Sequence, residues 1–444
     1  MKPQKTVIAV CLLAVAATVS LAQEQGNKEV ITIPREQYQK MLEEHRKLIE
    51  EMKDMKAFKA KVEESQKKTS TQQAETDQSL DDLDKQVKAA RQMAKDSFPG
   101  STKTLLTGYG SAGFISQDNG GDKKFGATFN PIFLWKLNDR LLFEGELEAE
   151  LEGSETSIAL EMAHVSYVLN DYVTIGAGKF LNPMDYFVER QHMAWVNKFP
   201  DKPLAVYDGL LPETQLGAQI RGAVPVGATK IGYAVYLANA SALNSDTNSV
   251  APEELGTLLF NNHDNVGKHI AVGGRVGFFP IPELELGYGV QFADVAPPQS
   301  GTVNSLMQSV DLSYVRISER LKGTINLKAQ WVWSHIDKYT YDSGSAIGGP
   351  FTFNNNRDGG YAQLAYRPSG VADAFVKNLE PVFRFDMLNQ ANTPTGTDET
   401  RYSVGLNYWL GPSSVFKLAY EFDHQSGPNA DPHDGVLVQF AAGF

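Results

Sequence analysis

Cysteine is nearly missing from this 444-residue chain: Cys11 is the only one. It lies in a segment built like a secretory signal. Lys2 and Lys5 form a charged start, residues 6–21 an apolar stretch, and Ser20-Leu21-Ala22 a cleavage site before Gln23. Val10 precedes Cys11, where lipid attachment would want a small residue. The expected mature chain therefore has no disulfide and no thiolate metal site. Long apolar runs are also missing. No stretch after the signal has 18 uncharged apolar residues, which excludes a transmembrane helix. There is no basic surplus either: 41 Lys and Arg face 53 Asp and Glu, a formal charge of −12. Loss of the two signal lysines takes it to −14. Nucleic acid, which needs a basic footprint, is thus excluded as a partner. Finally, no G-x-S-x-G, H-E-x-x-H or phosphate-binding loop occurs. We expect no enzyme, no cofactor and no metal. The Asn and Asp clusters at 244–248 and 261–265 read as polar turns.

Glycine is absent from residues 28–97, which are rich in Glu, Lys, Gln and Met. One heptad register fits them. Its a positions run from Tyr38, His45 and Met52 through Lys59, Gln66 and Gln73 to Leu80, Val87 and Ala94. Its d positions include Met41, Leu48, Met55, Val62, Leu83 and Ala90. Both ends are apolar and the phase holds across a polar middle, so residues 23–98 are expected to be an α-helical coiled coil with a linker.

After Pro99-Gly100 the period becomes two. Sixteen strands are expected, beginning near Thr102, Phe125, Arg140, Ser157, Val173, Glu213, Thr229, His269, Leu284, Asn304, Leu321, Asp358, Leu379, Thr400, Ser414 and Asp434. In residues 141–151 one face is Leu, Phe, Gly, Leu, Ala, Leu and the other mostly Glu. In residues 322–333 Ile325, Leu327, Ala329, Trp331 and Trp333 oppose Lys322, Thr324, Asn326, Lys328 and Gln330. Short connections such as 170–171 and 280–283 alternate with long ones such as 182–212 and 241–268. Trp135, Tyr314, Trp331, Trp333, Tyr408, Tyr420 and Phe444 sit on the apolar phase near strand ends. Apolar-out and polar-in strands, alternating connections and aromatic girdles fit an all-β transmembrane barrel of about 16 antiparallel strands over residues 101–444. An even strand number leaves both barrel ends on the periplasmic side, where the coiled coil would lie.

Gly178-Lys179-Phe180-Leu181-Asn182-Pro183 runs into Glu189-Arg190, Trp195-Val196-Asn197-Lys198 and Pro203-Leu204, and the last strand ends on Phe444. With the signal, coiled coil and strand number, these segments resemble bacterial outer-membrane porins. The resemblance is to phosphate-selective O/P-type and DcaP-like trimeric porins with an N-terminal coiled coil. It implies passive diffusion of small polar solutes, a homotrimer in outer-membrane lipid, and Phe444 as an assembly signal read by the barrel assembly machinery. Carriage of anions by the resembling families, with basic residues on many strands, tips our expectation towards anions. A second reading is an envelope tether. About 60 helical residues reach roughly 90 Å, and the barrel would then anchor a periplasmic spacer.

In sixteen-stranded porins the third long loop narrows the channel, and here that loop is residues 182–212. Its candidate constriction residues are Asp185, Glu189, Arg190, His192, Lys198, Asp201 and Lys202. Mixed charge at a constriction orients polar solutes. Alternation places Glu144, Glu146, Glu148 and Glu150 on the pore lining, opposed by Arg221, Arg275, Lys328, Arg367, Arg384 and Lys417. A one-residue bulge reverses such phases, so the alternation does not fix His164 or Lys179.

Overall fold

The computed structural model describes residues 103–152, 155–207, 209–246, 254–260, 265, 267–341, 350–390, 396–428 and 430–444. Residues 1–100 and 101–444 form two separate units. The signal segment and the heptads expected over 28–97 lie outside the described residues.

Alternating sequence becomes alternating exposure. The strands are β1 (Thr104–Gln117), β2 (Lys123–Lys136), β3 (Leu141–Glu152), β4 (Glu155–Asn170) and β5 (Val173–Leu181). A short helix α1 (Tyr186–Gln191) precedes β6 (Thr214–Val226) and β7 (Thr229–Asn239). After two-residue strands β8 (Ala242–Leu243) and β9 (Leu258–Leu259) come β10 (Ile270–Ile281), β11 (Leu284–Asp294), β12 (Asn304–Ser318) and β13 (Gly323–Ile336). The chain ends with β14 (Asn355–Arg367), β15 (Leu379–Asn389), β16 (Asp398–Trp409), β17 (Ser414–Ser426) and β18 (Gly435–Gly443). β8 and β9 pair with each other, and the other sixteen close into one antiparallel barrel. All sixteen expected starts fall within three residues of the observed ones.

The closing seam joins β1 to β18, from Tyr109 opposite Gly443 to Gln117 opposite Gly435. Closure removes the unpaired edges that an open sheet leaves to other chains. Just past β18, the Phe444 N–H donates to the Gly108 carbonyl at 3.0 Å and its own carbonyl accepts from Gly108 N at 3.2 Å. The exposed Phe444 ring stacks on Phe129 at 5.8 Å.

The outward phase is apolar. Ile220, Val235, Val272, Phe292, Leu364, Phe383, Leu418 and Phe440 are all exposed. The inward phase carries Gln219, Arg275, Gln291, Asp311, Gln330, Gln363, Arg384 and Lys417, all buried. A closed sheet with an apolar outside and a polar inside inverts the usual arrangement of a globular protein. The main apolar core lies between the β5–β6 connection and the wall. Met184, Phe187, Val206 and Leu211 of the connection pack with Tyr236, Met307, Val332, Tyr361 and Leu388 of the strands.

β3 and β4 slip register between Glu146 and Leu147. Glu146 pairs with Met162 and Leu147 with Leu160, so Glu161 is the extra residue. Past the bulge, Met162 and the half-buried His164 and Ser166 face inward, while Val165 and Tyr167 are exposed. His164 is thus placed inside. Lys179 pairs with Ala163 on the opposite phase, and its Nζ donates to the Leu160 carbonyl at 2.6 Å. Gly178, beside it, has φ +128 and faces Ala163 O so closely that a Cβ would lie 2.2 Å from it.

Candidate pore-constriction site

The β5–β6 connection begins with a self-contained turn. Asp185 caps α1: its Oδ1 accepts from Val188 N at 3.1 Å, and its Oδ2 accepts from Tyr207 N at 3.0 Å. A buried carboxylate with two backbone donors ties the start of the connection to its end. Asn182 helps: its Nδ2 donates to Pro212 O at 2.9 Å and its Oδ1 accepts from Met184 N at 3.1 Å.

The connection is then fastened to one side of the barrel. Ser309 Oγ of β12 and Gln330 Nε2 of β13 donate to Met184 O at 3.0 and 3.2 Å. Gln330 Oε1 accepts from Phe187 N at 3.1 Å, and Gln191 Nε2 donates to Tyr361 OH of β14 at 2.8 Å. Further along, Lys417 Nζ of β17 donates to Ala194 O at 2.5 Å and Phe199 O at 3.1 Å. Asn407 of β16 donates to Lys198 O at 3.0 Å. Lys198 Nζ pairs with Glu380 of β15 at 2.8 Å. Asp201 Oδ2 pairs with Arg384 at 2.7 Å and Arg401 at 2.8 Å.

These partners change the standing of the expected lining. Arg275, Lys328, Arg384 and Lys417 point inward as alternation requires, but each is at most 9% exposed. Arg275 is held by Asp311 and Glu285, at 2.6 and 2.9 Å. Lys328 donates to Tyr186 OH at 3.0 Å and to Ser313 Oγ. Arg384 also bonds Asp386 at 2.6 Å. Arg367 donates to Lys377 O and to Asn378 Oδ1, at 3.1 and 2.9 Å. Lys328, Lys417 and Arg384 hold wall and connection together, whereas Arg275 ties neighbouring wall strands and still lines a cavity. Alternation gives a direction, and the connection that covers them comes from far away in sequence.

The opposite wall is open. Between the connection and β1–β3 is a cavity of about 300 Å³ lined by Tyr109, Glu148, Glu150, His192, Lys202 and Tyr207. A second, of about 280 Å³, is lined by Glu144, Glu146, His164, Glu189, Arg190 and Arg221 among others. A third, of about 340 Å³, adds Lys230, Arg275 and Glu285. Arg190 and Arg221 are partly exposed and share the Glu189 carboxylate. The exposed Lys202 lays its Nζ 3.2 Å from the centre of the Tyr207 ring. Glu161, which pattern reading missed, lies within hydrogen-bonding reach of Glu148 and Glu213. Only the bulge reveals it. Among the described residues, no group of three His, Cys, Asp or Glu is placed to hold a metal ion.

Burial disfavours ionisation of Asp201, but the facing Arg384 and Arg401 guanidiniums outweigh it and hold the carboxyl below the usual range.

The barrel has the fold of a bacterial outer-membrane porin. The OmpF structure of Salmonella typhi, solved with daunomycin, aligns with TM-score 0.52 and 12% identity over 77% of this chain and 97% of that one. The DcaP channel of Acinetobacter baumannii aligns at TM-score 0.49 and 12% identity, over 77% of this chain and 97% of that one. OprB of Pseudomonas putida aligns at TM-score 0.49 and 10% identity, over 77% and 94%. At such identity the likeness is one of fold. No family model matches the chain, and no curated protein matches it.

Proposed function

We propose that the chain is an outer-membrane porin for passive diffusion of small hydrophilic solutes, narrowed by its β5–β6 connection. The observation that carries this reading is the docking of residues 184–201 on the inner wall of a closed, externally apolar barrel, with polar cavities opposite. An apolar exterior suits lipid, and a polar lumen suits water and its solutes. On this reading residues 1–22 direct export, residues 23–98 form a periplasmic coiled coil, and three barrels associate. The outward apolar side chains meet lipid or neighbouring subunits. Phe444 is the terminal signal for barrel assembly, placed where its backbone also locks the seam.

The inner surface supports cations over anions, against the preference expected from the sequence. The bases on the strands are mostly sequestered in pairs. Glu144, Glu146, Glu148 and Glu150 face the cavities. An acidic wall raises the local concentration of positive solutes, most strongly at low salt.

Conductance of the purified protein in planar bilayers tests the porin reading, and folded protein that passes no ion current refutes it. Reversal potential across a KCl gradient tests the preference. We expect cations to be favoured, and the preference to fall when Glu144, Glu146 and Glu148 are replaced by Gln. Anion preference in the unaltered protein would return selectivity to Arg190, Arg221 and Lys202.

A further inference from the structure

One cavity holds an unbalanced set of hydrogen-bonding atoms. Glu146 is 1% exposed, and its Oε1 has no partner. The Gln219 amide oxygen, on β6, is buried and also has none. His192 Nδ1 lies 2.5 Å from Val188 O. A carbonyl oxygen only accepts, so Nδ1 is the donor and Nε2 of the neutral ring bears a lone pair. That Nε2 is buried without a partner and lies 3.8 Å from Glu146 Oε2. At His164 the two nitrogens exchange roles, with Nε2 turned to a carboxylate that only accepts and the lone pair left on Nδ1. Its Nε2 faces Glu144 Oε2 at 3.5 Å, and its buried Nδ1 has no partner.

All five residues line the same cavity of about 280 Å³. Four buried acceptors thus face one space with no donor supplied to them. Buried polar groups are ordinarily satisfied, and exceptions call for a ligand or other explanation. The local bases do not supply the donors: Arg221 and Arg190 bond Glu189, and Arg190 also faces Glu285 at 3.7 Å. Tyr109 approaches the Glu146 carboxylate from β1, leaving Oε1 open. Ile132, Met162, Phe180 and Met193 complete the lining.

We propose that this cavity is a binding site for a small organic cation bearing N–H groups, an alkylammonium or guanidinium, within the pore. The proposal rests on the porin reading and names a solute class for it. The N–H groups would meet Glu146 Oε1, Gln219 Oε1 and the two imidazole lone pairs. The carboxylates would balance the charge, and the apolar lining would take the methylenes. An anion would face the Glu144 and Glu146 carboxylates, and the two guanidiniums at the cavity, Arg190 and Arg221, are already paired with Glu189. A quaternary ammonium has the charge and no N–H to give.

The test uses full-length protein in planar bilayers at pH 8, where an imidazole is ordinarily neutral, with KCl carrying the current. We expect millimolar 1,4-diaminobutane to interrupt the current in discrete events and tetramethylammonium at the same concentration to do so at least tenfold less. Glu146→Gln should weaken the diamine block about tenfold. Gln219→Leu, which changes no charge, should weaken it about threefold. Heat-modifiable mobility on a gel confirms that both variants fold. Equal block by the two cations, or diamine block unchanged in both variants, would overturn the site. Calorimetric titration of the detergent-solubilised protein with 1,4-diaminobutane gives a readout that needs no current. Binding heat that Glu146→Gln abolishes supports the site even if the pore reading falls, whereas absence of both heat and block overturns it.

Discussion

Asp201 of the β5–β6 connection lies 2.7 Å from Arg384 of β15, a residue with no exposed surface. The guanidinium also holds Asp386 at 2.6 Å and faces Glu421 of β17 at 3.8 Å, so the wall contributes two acids and the connection the third. Removing one partner of a buried pair typically costs about 3–5 kcal/mol, because the other charge stays uncompensated. Asp386 and Glu421 remain in Asp201→Asn, so we expect no more than about half of that. The change should appear as larger or noisier single-channel conductance, with the barrel still resistant to detergent. Conductance identical to that of the unaltered protein would show that this pair does not hold the connection.

The same carboxylate sets an acid limit. Its folded-state pKa is depressed, so the stability it lends is present above the unfolded value near 4. That stability is lost only as pH falls through the lower folded value. Conductance governed by this pair should therefore stay constant from pH 7 to about pH 4 and change below it. A transition centred near pH 6 would show that another group governs the conductance.

Phe187 tests the apolar half of the docking. It is fully buried, with ring centres 6.4 Å from Tyr207 and 5.8 Å from Tyr361. Phe187→Ala should cost about 3–5 kcal/mol locally. The strands keep their own pairing, so the loss should appear as raised conductance and faster protease cleavage within residues 186–207. The gel shift of the folded barrel should be unchanged.

Gly178→Ala should impair the barrel itself. A side chain there is strained at positive φ and meets the Ala163 carbonyl of the neighbouring strand. We expect reduced refolding yield into detergent micelles. A normal yield would mean that β4 and β5 can move apart locally.

Deleting residues 28–97 should leave a barrel that still inserts, because the strands carry their own outward apolar face. If the heptads assist association, its oligomers will dissociate at a lower temperature on a gel. Unchanged heat resistance would remove the coiled coil from that role.

Strand positions were legible because alternation and turn residues are local. Thr229–Asn239 and Leu284–Asp294 begin where the pattern starts. The bulge at Glu146 was not, since an extra residue leaves no mark in composition. It moved Glu161 into the interior and settled the phase of His164. α1, β8 and β9 were also missed: they are short, and long-range contacts stabilise them. The inward direction of Arg384 and Lys417 was readable, but their burial depended on a segment about two hundred residues away.

That distance has a consequence for assembly. Lys417 reaches back 223 residues to Ala194, and Asn407 reaches back 209 to Lys198. These anchors are synthesised long after the segment they hold, on strands next to the final seam. The β5–β6 connection cannot be fully tethered until β15–β17 are in place, and contacts of such long range form slowly. A newly closed barrel should thus pass through a leaky stage, with a wide bore before its inner strap is fastened.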